Sequence, residues 1–537
     1  MSKPDLAHLT AAENQPALRG DIDLFGRDPA LQAAVAAAGG QAAPLAGYGK
    51  TLGRVDYREA GREANRCLPR LEAFDRGGRR LDRVHFHPAY HKLMHNGIAA
   101  GYSAIAWEGK AGGHVTHAAM VYLQSQTEPS TCCPMTMTYA AVPALQTNPE
   151  VAKEWISGLT SRSYDPSDRP HAEKSGLTMG MAMTEKQGGS DIRTNVTKAI
   201  AQTDSYRLYG HKWFCSAPMS DAFLTLAQAP GGLSCFLVPR WQPDGTRNPI
   251  HLMRLKEKLG NRANASAEIE YHGAWAQLLG EEGAGVRVIL DMVHHTRLDT
   301  AMAPAGLMRA ALSEAHYWCQ NRRVFQRRLI DQPLMRSVLA DLTLDWLGAL
   351  FLGMRVAAAF DGADATDRAF ARIGVALAKF LSNKRCPDVV YEAMEVLGGM
   401  GYVDDTPMPM LFRESPLNSI WEGSGNVICL DILRTLGRDP LAAEVLRAEL
   451  ENARSLSPDY AAALDAHFSR WPTLPTEAEA RWFAESLAQL LTSSVLLHQR
   501  PGPVAQAYVK TRLSGMRGRV VGAVSGLDEA AILDELG

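Results

Sequence analysis

No two cysteines in this 537-residue chain have the CxxC spacing of a zinc ribbon or a thioredoxin motif. The eight thiols, Cys67, Cys132, Cys133, Cys215, Cys235, Cys319, Cys386 and Cys429, are read as reduced and mostly buried. Neither sign of charge dominates. The formal net charge is −2, so any nucleic-acid surface must be local. No apolar run is built to cross a membrane: Leu31–Gly49 is weakly apolar and broken by glycine, and Leu347–Phe360 is short and interrupted by Arg355. The opening MSKPDLAHLTAAENQPALRGD has no apolar leader region, so a soluble cytoplasmic protein is expected. There is no GxGxxG between a strand and a helix. GYGKTLG at 47–53 has the wrong spacing for a phosphate-binding loop. No internal repeat is present.

What is there suits a large globular enzyme. Hydrophobic residues make up 46% and charged residues 21%. Residues 1–180 carry helical periodicity with loops, as in PALQTNPEVAKEWISGL. From 181 to 287 the pattern changes to short alternating runs such as YRLYGHKWFCSA and LSCFLVPR, read as an antiparallel β domain. Helical periodicity returns over 288–438, with breaks expected at Gly362, Pro387 and 398–409, and is read as a helical bundle. GRDP at 437–440 is read as a boundary before an extra helical domain, 439–537. The fold class is therefore mainly α with a central β domain.

Two stretches stand out chemically. MAMTEKQGGSD, Met181–Asp191, offers a Thr hydroxyl, backbone N–H groups, two glycines and a Ser. Such a strip suits the polar edge of an aromatic heterocycle and a pyrophosphate, or forms a plain solvated loop. NSIWEGSGN, Asn418–Asn426, sets one carboxylate between a tryptophan and a Gly-Ser-Gly turn. Glu422 is read as a base whose pKa is raised by apolar surroundings. The plain alternative is a helix start capped by Ser424 or Asn426, with Glu422 on the surface.

Taken in order, MAMTEKQGGSD, GHKWFCS, LGEEGAG, RRVFQRRLIDQPLM, EAMEVLGGMGY and IWEGSGN resemble the motifs of the acyl-CoA dehydrogenases across about 180–430. The resemblance implies that family's fold, a noncovalent FAD and a homotetramer. It implies flavin contacts from Met183, Thr184, Gln187, Gly189 and Ser190, and from Phe214 and Ser216. Gly423, Ser424 and Asn426 would meet the cofactor from the other side, and Gly398, Gly399, Arg323 and Phe325 would act across a subunit interface. Glu422 would abstract the α-proton of an acyl-CoA thioester, with Trp421 as its wall and hydride passing to the flavin. The pattern departs from the family at Gln326, Glu395, Cys215-Ser216, Ser424 and Asn426.

LKEKLGNRANAS, YEAMEVLGG and NSIWEGSGN are similar to the AidB branch of that family, as is the continuation past 440. The branch implies binding of double-stranded DNA through the C-terminal segment, protection against alkylating agents and Arg434 beside the substrate pocket. The tail supports DNA only locally. No acidic residue lies between Glu485 and Asp528, while Arg500, Lys510, Arg512, Arg517 and Arg519 do, which suits sequence-independent phosphate contact or a solvated face. The alternative function is an ordinary short- or branched-chain acyl-CoA dehydrogenase serving an electron-transfer flavoprotein. HFHPAYHKLMH puts His85, His87, His91 and His95 close together, but no carboxylate or Cys joins them locally. Packing or helix-entry roles are expected, and no metal site.

Overall fold

The computed structural model describes residues 13–537. The first twelve, part of the stretch read as lacking a leader, lie outside the described residues.

Several helices start where a polar cap precedes a proline. Asp28 before Pro29, Asn148 before Pro149, Asp439 before Pro440 and Ser457 before Pro458 each accept a bond from a first-turn N–H. The N-terminal helices, Pro29–Ala37 to Pro149–Leu159, are interrupted by a hairpin, β1 (Arg70–Phe74) and β2 (Arg80–His85). GYGKTLG falls inside the helix Ala42–Leu52, with no glycine loop.

Seven strands form the middle domain: β3 (Met179–Ala182), β4 (Lys198–Ala201), β5 (Tyr206–Ser216), β6 (Ala222–Ala229), β7 (Gly232–Pro239), β8 (Ile250–Leu255) and β9 (Ser266–Leu279). The order β3-β6-β4-β5-β9-β7, with β6 also paired to β7, closes five strands into a barrel. The expected antiparallel sheet is instead mixed, because β3 and β4 both run parallel to β6. Alternation identifies strands but not their direction. Here β3 leads into the long loop 183–197 rather than a tight turn, so it adds beside β6.

Three long helices, Gly285–Asn321, Pro333–Asp361 and Ala365–Val396, form the bundle. The break expected at Gly362 is present. The one expected at Pro387 is not: the proline sits inside a helix whose flanks Cys386, Val389 and Val390 are buried, and packing overrides its intrinsic cost. Pro333–Asp361 is long and apolar enough by composition to cross a membrane, but it is a buried core helix. Residues 439–537 do not build a core of their own. Leu446, Leu450, Tyr460, Leu487, Leu491 and Tyr508 belong to one continuous core with Leu344, Leu347 and Phe380. Cys67 is exposed, and the other seven cysteines are buried and unbonded.

Candidate active site

The strip opening the β domain is held by a residue with no assigned role in the sequence reading. Glu185 is buried and accepts bonds from Lys212 Nζ at 2.7 Å, Thr197 Oγ1 at 2.6 Å and Val196 N at 2.7 Å. Burial alone would raise its pKa, but Lys212 and these donors hold the carboxyl well below the usual range. Gln187 donates to Glu185 and to the Thr194 carbonyl, so its amide donors are committed within the loop. The Met183 carbonyl accepts from Asn195 Nδ2 at 3.0 Å, and the Thr184 carbonyl accepts from Trp213 N at 2.8 Å. A Cβ on Gly189 would lie 2.6 Å from Thr184 Oγ1, so this loop closes over the threonine only with glycine there. Ser190 is exposed.

The β5–β9 register slips by one residue between Lys212 and Cys215. This bulge takes Trp213 and Phe214 out of the ladder and re-aims their side chains. Phe214 is left 51% exposed, with Lys256 Nζ 4.4 Å from its ring centre. Ser216 Oγ lies 3.3 Å from Ser266 Oγ, which in turn accepts from Lys258 Nζ at 3.0 Å. A half-exposed aromatic ring, together with the Thr184 and Ser216 hydroxyls, fits a flat heteroaromatic ring such as the flavin of FAD.

Glu422 answers the question its sequence raises. It is one of seven non-glycine residues at positive φ among the described residues, at +58°, followed by Gly423 at +104°. Such a conformation costs about 1–3 kcal/mol and persists only when its surroundings enforce it. Arg297 Nε donates to the Glu422 carbonyl at 3.1 Å, and Lys379 Nζ donates to the Asn418 and Gly423 carbonyls at 2.8 and 2.9 Å. Thr296 Oγ1 donates to the carboxylate at 2.8 Å. Burial raises the Glu422 pKa, while Thr296, Lys379 and Arg297 pull the other way. Trp421 donates to Asn418 at 2.6 Å and packs on the same core as Met181, Met183 and Cys133. The wall behind the base and the start of the strip therefore pack on one core cluster. Thr296, Arg297 and Lys379 went unnoticed in the sequence, since nothing local marks them.

The helix Gly425–Arg438 does begin at Ser424, but the Ser424 side chain makes no capping bond. Asn426 accepts from Arg481 at 3.1 Å. Arg434 does not reach Glu422. It is 60% exposed and stands 3.8 Å from Asp431, the carboxylate that binds Arg297 and Arg372. RRVFQRRL forms a hairpin, β10 (Arg323–Val324) and β11 (Arg327–Arg328). Phe325 and Gln326 both take positive φ at its two-residue turn. Phe325 is 88% exposed, and Gly398 and Gly399 lie exposed in the turn after Val396. No hydrogen bond joins these residues to Thr184, Ser216 or Glu422 among the described residues.

The tail cations divide. Arg512 is buried and donates to Asp341 Oδ1 at 2.5 Å and Asp345 Oδ1 at 3.0 Å, and Arg517 binds the same carboxylates. Both guanidiniums are committed to these carboxylates rather than presented to solvent, which corrects the expectation of a free cationic window: a stretch without acids nearby in sequence meets its acids in space. Arg500 is paired with Glu535. Lys510 and Arg519 are exposed without an ion-pair partner among the described residues. The four histidines diverge: His85 pairs with Glu72, His87 caps the helix Pro88–Ala100, His91 meets Tyr164 and His95 is exposed. A cavity of about 520 Å³ lined by Phe86, Tyr90, His91 and Tyr164 does not include Glu422.

Three family models match in order. They are the AidB N-terminal domain of the adaptive response protein AidB (residues 14–166), the acyl-CoA dehydrogenase middle domain (180–274) and the acyl-CoA dehydrogenase C-terminal domain (283–437). AidB of Escherichia coli (strain K12) is 44% identical over 507 residues, covering 93% of this chain and 94% of that protein. The structure of Caenorhabditis elegans ACDH-11 in complex with C11-CoA superposes with a TM-score of 0.84 at 26% identity, covering 96% of this chain and 94% of that one. An acyl-CoA dehydrogenase complexed with FAD from Bacillus anthracis shares the fold, with a TM-score of 0.66 at 16% identity over 84% and 86% of the two chains. The chain belongs to the acyl-CoA dehydrogenase family of oxidoreductases, in its AidB branch.

Proposed function

We propose that this chain is an FAD-dependent oxidoreductase acting on the Cα–Cβ bond of an acyl-CoA thioester. The observation that supports it most is Glu422: a carboxylate with a raised pKa on an enforced left-handed turn, backed by Trp421. A thioester α-proton is weakly acidic, so its base works best in a site that disfavours charge. In this reading Glu422 takes the α-proton, Thr296 orients the receiving oxygen, and Arg297 and Lys379 keep the turn in place. Thr184, Phe214 and Ser216 would hold the flavin ring, with Met183, Gly189 and Ser190 along its edge. Bound FAD would accept the β-hydrogen with its electron pair, leaving a Cα=Cβ double bond. The ACDH-11 complex with C11-CoA supports an acyl-CoA ligand, and the B. anthracis complex supports FAD. Exposed Phe325 with Gly398 and Gly399 suits completion of the cofactor site by a second copy, in a cytoplasmic homotetramer.

The test is anaerobic addition of an acyl-CoA series to the FAD-loaded protein. Flavin absorbance should bleach with at least one chain length, and Glu422→Gln should slow it at least about a hundredfold. No bleaching with any acyl-CoA would refute the assignment.

A second activity, binding of duplex DNA in protection against alkylating agents, is supported by near-full-length similarity to AidB, tail included. It would rest on Lys510 and Arg519 rather than on Arg512 or Arg517. Fluorescence anisotropy of a random duplex at low and physiological salt tests it, and salt-insensitive or absent binding would exclude it.

A further inference from the structure

Lys379 is 1% exposed, among the largest fully buried side chains of the chain. Burying an ammonium is costly unless its partners repay the lost water, and here both hydrogen-bond partners are backbone carbonyls. Those carbonyls, of Asn418 and Gly423, stand on either side of Glu422. Among the described residues no backbone N–H pairs with either of them. The carbonyl between them in this turn, that of Glu422, is taken by Arg297. Two cations from two different helices therefore hold three carbonyls of one short turn. A fold that only had to fill this space could use a methionine, and a fold that only needed a helix start would not need Glu422 at positive φ.

We propose that Lys379 is a positioning residue for Glu422, fixing the turn through the carbonyls of Asn418 and Gly423 and favouring the carboxylate by its charge. This rests on reading Glu422 as the base. The groups facing Glu422 are Thr296 and Arg297 from Gly285–Asn321, Lys379 from Ala365–Val396 and Cys133 from Cys132–Leu145; Lys379 itself also faces Arg297 and Lys384. Of these, only Lys379 both binds the backbone on each side of the base and attracts its carboxylate.

The experiment is an infrared difference titration of the FAD-loaded full chain, with the Glu422 carboxyl band assigned by its loss in Glu422→Gln. In Lys379→Met the Glu422 titration should move up by about one pH unit or more. Acyl-CoA bleaching of the flavin should slow at least about tenfold with little change in the half-saturating concentration, because binding surfaces are untouched. In Lys379→Ala, added ethylammonium should return part of both effects. If Lys379→Met does not fold, Lys379→Gln, which keeps an amide NH2 donor group without the charge, takes its place. A folded variant in which the Glu422 titration stays where it is in the parent overturns the proposal. Because the infrared readout needs no turnover, a chain that bleaches with no acyl-CoA would refute the proposed reaction while leaving this inference to stand or fall on its titration.

Discussion

Replacing Arg512 with methionine separates a core role from a surface one. The guanidinium donates to Asp341 Oδ1 at 2.5 Å, to the Asp341 carbonyl at 2.8 Å, to Asp345 Oδ1 at 3.0 Å and to Thr511 at 2.8 Å, with its side chain 1% exposed. Removing one member of a buried ion cluster costs about 3–5 kcal/mol, chiefly by leaving the other charge unpaired. Arg517 stays in contact with both carboxylates, at 2.9 and 3.4 Å, so the lower end, about 3 kcal/mol, is expected. That corresponds to roughly a hundredfold faster amide exchange over 503–522, the segment this cluster pins to Pro333–Asp361. Hydrogen exchange by mass spectrometry reads it directly. The pH dependence has a definite sign. Burial pushes the Asp345 carboxyl up, but Arg512 and its neighbouring arginines outweigh it and hold the pKa below the ordinary value. The contribution is therefore full above about pH 4 and is lost as pH falls through the folded-state pKa, so parent and variant should converge in acid. Neutralising the acids in Arg512→Met/Asp341→Asn/Asp345→Asn should recover much of the loss. Unchanged exchange together with weakened DNA binding would refute the placement of Arg512 in the core.

Thr296→Val removes the donor that lowers the Glu422 pKa, so the acidic limb of the pH–rate profile should move to higher pH; an unmoved limb would show that this hydroxyl does not tune the base. Phe214→Ala truncates a half-exposed ring, so it should weaken FAD binding several-fold while leaving the melting point of the FAD-free chain nearly unchanged, as followed by flavin fluorescence and calorimetry. Lys212→Met strands the buried Glu185 carboxylate and should cost about 3–5 kcal/mol, with loosening of the 183–197 loop visible by hydrogen exchange.

Much of the architecture was legible because periodicity is local. The switch from helical to alternating pattern near Met179 marks the barrel, and Gly362 ends a helix as expected. Strand direction at β3 was not, since it depends on which neighbour the strand finds after a fifteen-residue loop. Pro387 misled for a similar reason: a local cost was overruled by packing on both sides. At the site, motif order pointed to Thr184, Phe214, Ser216 and Glu422; of these, Ser216 and Glu422 both come near Cys133. The window without acids misled at Arg512 and Arg517, because a charge count along the chain does not see Asp341 and Asp345 arriving from 167 or more residues away.

The sequence alone determined that a lone carboxylate sits between Trp421 and a glycine turn, and that a donor strip opens the β domain. These are properties of residue type and spacing along a short stretch. Only the tertiary structure decided that Glu422 takes a left-handed backbone, that Thr296, Arg297 and Lys379 hold it there, and that Glu185 and Lys212 anchor the strip. Each of those contacts joins residues far apart in the chain, and the pKa of a buried acid is set by the charges and donors that surround it in space.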